Sequence, residues 1–284
     1  MVSQELKSPR RAGFTLIELL VVLVILAAAA GLVIPKLGFV EGQAGNATAA
    51  AGTSQVMSKL EIYKATTGSY PMGLDSLLES SGSAAPTAVY SGLWEHTTSG
   101  VTFGPKQYFE MATLNAGLPP ASPGQTAQSF GHAFSPVNGS YYFYDHEAAS
   151  SDPTNSGRNK RSFTSASSAL VAFVKPLGAL GTAGPNLNDF LVEIYKAAGY
   201  PEGTPASTRL IAFGIGPNAS SIGSTMISAP THAEQDQTKY SRFIAIFAVH
   251  NNAKPAELKT VIDSQGVSVN SNVNDYRRAA PDHD

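Results

Sequence analysis

The chain has 284 residues, with 19 Lys and Arg against 21 Asp and Glu, a formal net charge of −2 and no cysteine. Because it has no basic excess to neutralise phosphates, a nucleic-acid binder driven by bulk charge is excluded. Because it has no thiols, a disulfide scaffold, a Cys-ligated zinc or iron–sulfur site and a cysteine nucleophile are excluded as well. A chain of this length forms one large domain or two small ones.

The amino-terminal part contains an apolar run, FTLIELLVVLVILAAAAGLVI, from Phe14 to Ile34, with Glu18 as its one charge. Its 21 residues (34 − 14 + 1) would form a helix about 31 Å long, which matches the ~30 Å hydrocarbon core of a bilayer. Lys7, Arg10 and Arg11 precede the run, and the positive-inside rule places them in the cytoplasm. The sequence therefore predicts a single-pass membrane helix followed by an exported head.

Glu18 is unusual within such a run. An acidic group at the centre of a membrane helix costs about 2.5–3.5 kcal/mol on insertion scales, and less near the interface. A positive charge at the same depth would remove this cost. Cleavage of the chain just before Phe14 would create one, since the new α-amino group of one subunit could neutralise Glu18 of a neighbour.

The segment RRAGFTLIELL, from Arg10 to Leu20, resembles the class III signal of type IV pilins and type II secretion pseudopilins. The resemblance implies cleavage after Gly13 by a prepilin peptidase, N-methylation of Phe14, and pairing of Glu18 with the Phe14 amine of an adjacent subunit during filament assembly. Pro35 lies where the family often has a helix-interrupting proline. Since proline removes a backbone donor and clashes with the preceding turn, a helix break is predicted at Pro35.

A competing interpretation takes Arg10-Arg11 as a twin-arginine signal and Ala28-Ala29-Ala30 as its cleavage site. It gives an exported soluble protein, but it leaves Glu18 unexplained inside the apolar core of the signal. A buried helix of a soluble protein is a further alternative for the same run.

The long helix is expected to resume after Pro35. Val56, Leu60 and Tyr63, with Met57 and Ile62 beside them, recur at helical spacing, and Thr66-Thr67-Gly68 is the predicted end.

The turn Gly68-Ser69-Tyr70-Pro71 follows, and then Leu74, Leu77 and Leu78 predict a short helix. This order is similar to the segment after the long helix in major pseudopilins. A plain proline turn is the alternative.

The rest of the chain predicts short strands and turns. Residues 80–136 read as loop with short strands at 88–95 and 107–111, and residues 140–144 as a strand. Residues 188–198 predict a helix, and residues 208–215 and 240–250 predict two antiparallel strands. Residues 256–263 predict a short helix or turn, and 270–284 a polar tail.

These elements predict an α+β fold of the pilin-like kind, in which a long amino-terminal hydrophobic α-helix packs on a small antiparallel β-sheet head. The expected parts are a prepilin leader at 1–13, a transmembrane and filament-core helix at 14–35, the second half of the long helix at 36–66, and an exported globular head at 67–284.

Catalytic motifs are not found in the sequence. None of the six histidines has metal-ligand spacing, and no serine occupies a G-x-S-x-G elbow. Asp145-His146-Glu147 is a tight polar cluster that could ligate a cation, and a solvated turn is the preferred interpretation. We therefore expect no enzyme and no catalytic cofactor.

A structural calcium ion is the cofactor that the resemblance to major pseudopilins makes conceivable. Calcium takes six to eight oxygen ligands, several of them carboxylates. The weak candidates are Asp263, Asp275, Asp282 and Asp284. The chain has no cysteine for the disulfide that closes the carboxy-terminal loop of many type IVa pilins, and this favours a pseudopilin over an adhesive pilin.

The expected function is that of a structural subunit of a type II secretion pseudopilus. Its implied partners are copies of itself or related subunits in a helical polymer, a prepilin peptidase, and an inner-membrane assembly platform with its ATPase. The implied location is the inner membrane with a periplasmic head, and afterwards a periplasmic pseudopilus or a surface pilus. The alternatives are a type IV pilus pilin for adhesion, motility or DNA uptake, and a membrane-anchored or exported binding protein or enzyme.

Overall fold

The structure is a computed structural model that describes residues 16–81, 85–98, 101–113, 133–136, 140–147, 159–163, 169–179, 187–205, 208–231, 239–250, 254–264 and 266. At residues 26–50, 96–98, 101, 103, 147, 159 and 187–190 it describes the backbone alone. The chain divides into two compact units, Met1–Asn46 and Ala47–Asp284.

The first element is helix α1, Leu16–Thr67. It ends where the sequence predicts: Gly68 follows with φ 76° and donates its amide to the carbonyl of Lys64 at 2.8 Å, a left-handed closing turn that glycine adopts without strain. The helix continues through Pro35, so its secondary structure is not interrupted by the break predicted there. A bend of the helix axis there stays a prediction.

The other elements whose bounds lie within the described residues are strands and two further helices. The strands are β1 Leu74–Ser80, β2 Ala88–Val89, β3 His96–Thr98, β4 Val101–Phe103, β5 Phe109–Thr113, β6 Tyr141–Glu147, β7 Asn159–Phe163, β8 Leu170–Val174, β9 Thr208–Gly214, β10 Ile244–His250 and β11 Glu257–Ile262. The helices are α2, Pro105–Tyr108, and α3, Leu187–Ala197.

Nine of the strands in the described part form one sheet with the central order β11-β10-β9-β1-β6-β7. On its margins β2 pairs with β1, and β5 pairs with β8, which also pairs with β9. The β1–β6 pair is parallel, and the other pairs are antiparallel. Strands β3 and β4 form a separate hairpin.

Both faces of this sheet are buried, which explains the almost continuous apolar runs of its central strands. On β10, Ala245 and Phe247 belong to one apolar cluster, whereas Ile244 and Ile246 belong to the other. The first cluster includes Val56 and Leu60 from the end of α1, and the second includes Leu191, Ile194 and Tyr195 from α3. The end of α1 and the helix α3 therefore cover different faces.

The predicted helix at Leu74, Leu77 and Leu78 is wrong, because these residues form the central strand β1. The register of β1 against β6 shifts between Asp75 and Glu79, and Leu77 has a φ of 58°. This irregularity places Leu77 and Leu78 in the same apolar cluster, while Leu74 lies in the other. Three leucines at helical spacing thus arise from a bulged strand that is buried on both sides.

The predicted helix or turn at 256–263 is wrong for a similar reason. Residues Glu257–Ile262 are strand β11, whose pairing with β10 also contains a register shift. The predicted loop region at 80–136 contains four short strands and α2 in its described part, and it contributes Tyr90, Leu93 and Phe109 to the core.

The α+β class is confirmed, and so are the strands predicted at 208–215 and 240–250, which pair antiparallel over seven residues as β9 and β10. The helix predicted at 188–198 is confirmed as α3. The expected small antiparallel sheet is corrected to a large mixed one, since β1 lies between the parallel neighbour β6 and the antiparallel neighbour β9.

Candidate functional site

The start of α1 presents an apolar surface on all sides. Nine of the ten residues from Leu16 to Ile25 are large and hydrophobic, and their side chains are 49–83% exposed. The tenth is Glu18, which lies in the first helical turn, where the helix dipole favours a negative charge. The described part of the predicted filament helix therefore has one acid within an otherwise apolar surface.

Such a surface requires a partner other than water. Full burial of a Leu, Ile or Val side chain is worth about 1.5–3 kcal/mol. Covering nine half-exposed side chains would therefore gain on the order of 10 kcal/mol. Glu18 would enter the same apolar surroundings, where a nearby positive charge would offset the cost of burying its carboxylate.

No helix in the described part of the chain meets the length and hydropathy that a membrane span requires. Gly13 and Phe14, the predicted cleavage and methylation residues, lie outside the described residues, and so do the side chains at 26–50. The membrane span and filament core at 14–35 stays a prediction.

A family model matches the amino-terminal segment of the chain. It is described as a prokaryotic N-terminal methylation motif, and it covers residues 8–34. The chain carries the amino-terminal signal of type IV pilin-like proteins. This pilin-like signal contains Gly13, Phe14 and Glu18, so the resemblance seen at Arg10 to Leu20 is confirmed.

The pilin-like signal implies processing by a prepilin peptidase, methylation of the new amino terminus and anchoring of that end in a membrane. The match covers 27 residues (34 − 8 + 1), about a tenth of the 284-residue chain. No curated protein and no solved structure matches the chain. The head is therefore described by its own geometry.

The calcium candidates are divided between described and other residues. Asp263 is fully buried just after β11, and its charge acts on the hydroxyl of Tyr108, whose pKa is raised mainly by burial. Asp275, Asp282 and Asp284 lie outside the described residues. Within the described residues no group of three or more His, Asp or Glu side chains could hold a metal ion. These residues alone do not provide the six to eight oxygens of a calcium site.

The cluster Asp145-His146-Glu147 does not form the solvated turn that the sequence favoured. It ends strand β6, and Asp145 and His146 are buried. The ring of His146 stacks on Tyr90 at 4.0 Å and meets the edge of Tyr240 at 5.5 Å. His146 is therefore packed in the core.

Asp145 forms a buried ion pair that the sequence did not reveal. The Nε and Nη2 atoms of Arg161 each lie 2.5 Å from one of its carboxylate oxygens, and the hydroxyl of Ser76 donates to the same carboxylate. Burial raises the pKa of Asp145, and Arg161 and Ser76 oppose that rise. Burial likewise lowers the pKa of Arg161. Both pKa shifts indicate that the cost of desolvating the two charges outweighs the attraction between them.

A second buried carboxylate lies on the neighbouring strand β1. Asp75 accepts a hydrogen bond from the Tyr240 hydroxyl at 2.9 Å, and the Arg242 guanidinium lies 3.7 Å away. Gly216 leaves the space that this carboxylate occupies, because a Cβ there would collide with it. The Asp145 carboxylate joins β6 to β7 and, through Ser76, to β1, and Asp75 joins β1 to Tyr240 and Arg242, which indicates a structural role.

A cavity of about 270 Å³ opens beside β5, β8 and β9. Glu110 and Arg209 supply its charges, and Phe173 and Leu210 supply apolar walls. Tyr195 also lines it, but its hydroxyl donates to the carbonyl of Lys175, and burial raises its pKa to about 12. Tyr195 is therefore neither a nucleophile nor a base near neutral pH.

Proposed function

We propose that this protein is a structural, non-enzymatic subunit of a type II secretion pseudopilus. It is inserted into the inner membrane as a prepilin, cleaved after Gly13, methylated at Phe14, and assembled into a helical filament with copies of itself or related subunits. An assembly platform and its ATPase act from the membrane and the cytoplasm, and the head lies in the periplasm.

The observation that carries this proposal is the pilin-like signal at residues 8–34 together with the apolar surface of the helical residues 16–25 within it. A helix with such an apolar surface is surrounded by lipid before assembly and by neighbouring helices after it. Glu18 supplies the register, since its charge pairs with the Phe14 amine of the next subunit when the two groups lie at the same depth.

The arrangement of the second unit supports the pilin-like part of the proposal. Val56 and Leu60 of α1 are buried in the apolar cluster on one face of the sheet, so the end of the helix is part of the core of the head. The lack of cysteine and the Tyr70-Pro71 turn after the helix favour a pseudopilin over a type IVa pilin.

The proposal is tested by neutralising Glu18. Glu18→Gln keeps the size of the side chain and removes its charge, so we expect normal membrane insertion and cleavage but at least a tenfold loss of assembled filament. Sheared filaments are quantified by immunoblot, and processing is followed by the mobility of the subunit. Glu41→Gln is the matched control, because Glu41 lies on the same helix beyond the apolar run.

Wild-type filament yield from Glu18→Gln would contradict the pairing of Glu18 with the amine. Failure of cleavage in the wild-type chain would contradict the proposal as a whole. Electron microscopy separates the two kinds of filament: short periplasmic filaments agree with the pseudopilus, whereas long surface filaments indicate a type IV pilus instead.

Catalysis is not part of the proposed function, and we propose structural calcium only as an addition to it. If Asp263 and the carboxy-terminal aspartates bind calcium, millimolar calcium raises the melting temperature of the wild-type chain, and Asp263→Asn reduces this effect. An equal melting temperature in calcium and in EGTA would exclude the calcium site.

A further inference from the structure

The hydroxyl of Tyr70 is a hub at the place where α1 ends. It accepts hydrogen bonds from the Lys64 ammonium at 2.8 Å and from the backbone amide of Leu258 at 2.7 Å, and it donates to the Glu61 carboxylate at 3.2 Å. A phenolic hydroxyl has one proton to donate and two lone pairs. All of its hydrogen-bonding capacity is therefore used.

The hub connects two elements that are far apart in the sequence. Glu61 and Lys64 lie on the last turns of α1, and Leu258 lies on β11, the last strand at one end of the described central order. The Lys64 ammonium also reaches the carbonyl of Ala256, at 3.4 Å. Two backbone groups at the start of β11 are thus bound by side chains from α1 and from the turn that follows it.

The ring of Tyr70 is buried and is in contact with groups from several parts of the chain. The side chain is 2% exposed, and its ring meets Phe247 edge-on at 4.8 Å. The backbone amide of Tyr70 donates to the carbonyl of Phe134, and the Lys64 ammonium lies 4.3 Å from the ring centroid. Burial raises the pKa of Tyr70 well above its ordinary value, so the hydroxyl keeps the proton that it gives to Glu61.

Apolar packing alone would not fix the helix in this way. Val56 and Leu60 hold α1 against the sheet, but hydrophobic attraction has no direction and tolerates sliding and rotation. Hydrogen bonds weaken steeply when their distance or angle changes. A second directional contact joins Tyr63 of α1 to Ser220 of the head at 2.9 Å.

We propose that Tyr70 is a positioning residue, whose hydroxyl locks the last turn of α1 to β11 in one orientation, so that force on the helix passes directly into the sheet. The force in question is that of filament growth, and this part of the proposal rests on the proposed function. The locking itself is a property of the single chain.

The locking is measured by the distance between two spin labels in the full chain in detergent. Because the native chain has no cysteine, Lys59→Cys on α1 and Arg209→Cys on β9, both exposed, give a specific pair. Pulsed dipolar spectroscopy is expected to give a narrow distribution in the wild-type background and one at least twice as wide in Tyr70→Phe. Hydrogen exchange of the amides at 60–67 is expected to accelerate at least tenfold.

Tyr195→Phe is the matched control. It also removes the hydroxyl of a buried tyrosine, but that hydroxyl bonds the Lys175 carbonyl on the α3 side of the sheet. We expect its distance distribution and its exchange at 60–67 to equal those of the wild type. If Tyr195→Phe broadened the distance distribution as much as Tyr70→Phe, the effect of Tyr70 would be a general loss of stability, and the proposal would be overturned.

Lys64→Met keeps the buried ring and removes one of its partners, so it tests the hub even if Tyr70→Phe folds poorly. A smaller broadening is expected, and Lys64→Met added to Tyr70→Phe is expected to change little further. Unchanged distributions in both single variants would overturn the proposal. If the wild-type chain formed no filaments, the proposed function would be overturned, but the orientation of α1 measured in the single chain would still stand.

Discussion

Removal of the buried guanidinium at position 161 is expected to destabilise the head strongly. The Asp145 carboxylate is fully buried and Arg161 is 17% exposed, so Arg161→Met would leave a charge inside the protein without its counter-ion. Removal of one partner from such a pair costs about 3–5 kcal/mol. At about 2–4 °C per kcal/mol for a domain of roughly this size, the melting temperature is expected to fall by about 6–20 °C.

Removal of both charges is expected to cost far less. Burial is the largest influence on the pKa of Asp145 and of Arg161, so the pair gains little beyond the cost of its own desolvation. We expect Arg161→Met combined with Asp145→Leu to recover at least 2 kcal/mol of the loss, as found for buried pairs replaced by apolar side chains.

The loss of stability in Arg161→Met is expected to depend on pH. A carboxyl whose folded pKa is raised above about 3.9 favours the folded state at low pH and loses that contribution as the pH rises through the folded pKa. Without Arg161 the pKa of Asp145 rises further. The deficit of Arg161→Met is therefore expected to be largest at pH 7 and to shrink towards pH 4.

Thermal and urea unfolding of the full chain in detergent, followed by circular dichroism, measure these effects. Lys196→Met is the matched control, since Lys196 forms a surface pair with Glu193 at 2.8 Å that is worth under about 1 kcal/mol. If Arg161→Met costs no more than Lys196→Met, or if the double variant is as unstable as the single one, the assignment of a costly buried pair is wrong.

Three further predictions concern the head and its contact with α1. Gly73→Ala should lower the free energy of unfolding in urea by at least 2 kcal/mol more than Gly223→Ala. Both glycines have a positive φ, but a Cβ at position 73 would collide with a backbone carbonyl, whereas a Cβ at position 223 would meet nothing. Equal losses of stability in the two variants would contradict this account. Leu60→Ala should cost about 2–5 kcal/mol of stability and Ile62→Ala under about 1 kcal/mol, because Leu60 is fully buried and Ile62 is half exposed. Similar melting temperatures for the two variants would contradict the orientation of α1 in which Leu60 is buried and Ile62 is exposed. Glu95→Gln should cost under about 1 kcal/mol at pH 7 and progressively less below about pH 4.3. The hydrogen bond from the Lys106 ammonium lowers the pKa of Glu95, and the stability that this gives is lost as the pH falls through the folded pKa. A deficit that does not shrink with falling pH would point to another cause.

The amino-terminal signal could be predicted from the sequence because it is a linear feature. Its basic residues, Gly13-Phe14, the acid at 18 and the apolar run are read in order, and no long-range contact is needed to interpret them. Strands β9 and β10 and helix α3 were also predictable, since each is a continuous element with turn residues at its ends.

The parts that could not be predicted depend on contacts between distant segments. Strand β1 lies between β6 and β9, and burial on both faces together with its bulge gives its leucines a helical spacing. The pairing of Asp145 with Arg161 follows from the β6–β7 register, in which Phe143 lies opposite Arg161. No local pattern encodes either arrangement, and the Tyr70 hub likewise joins residues 188 positions apart.

The most direct test of the account is mass spectrometry of the amino terminus of subunits taken from sheared filaments. The account predicts a chain that begins with N-methyl-Phe14, since cleavage after Gly13 creates the amine with which Glu18 of the neighbouring subunit is proposed to pair. Subunits that retain the first thirteen residues, or that begin near Gly31 beyond Glu18, would contradict it.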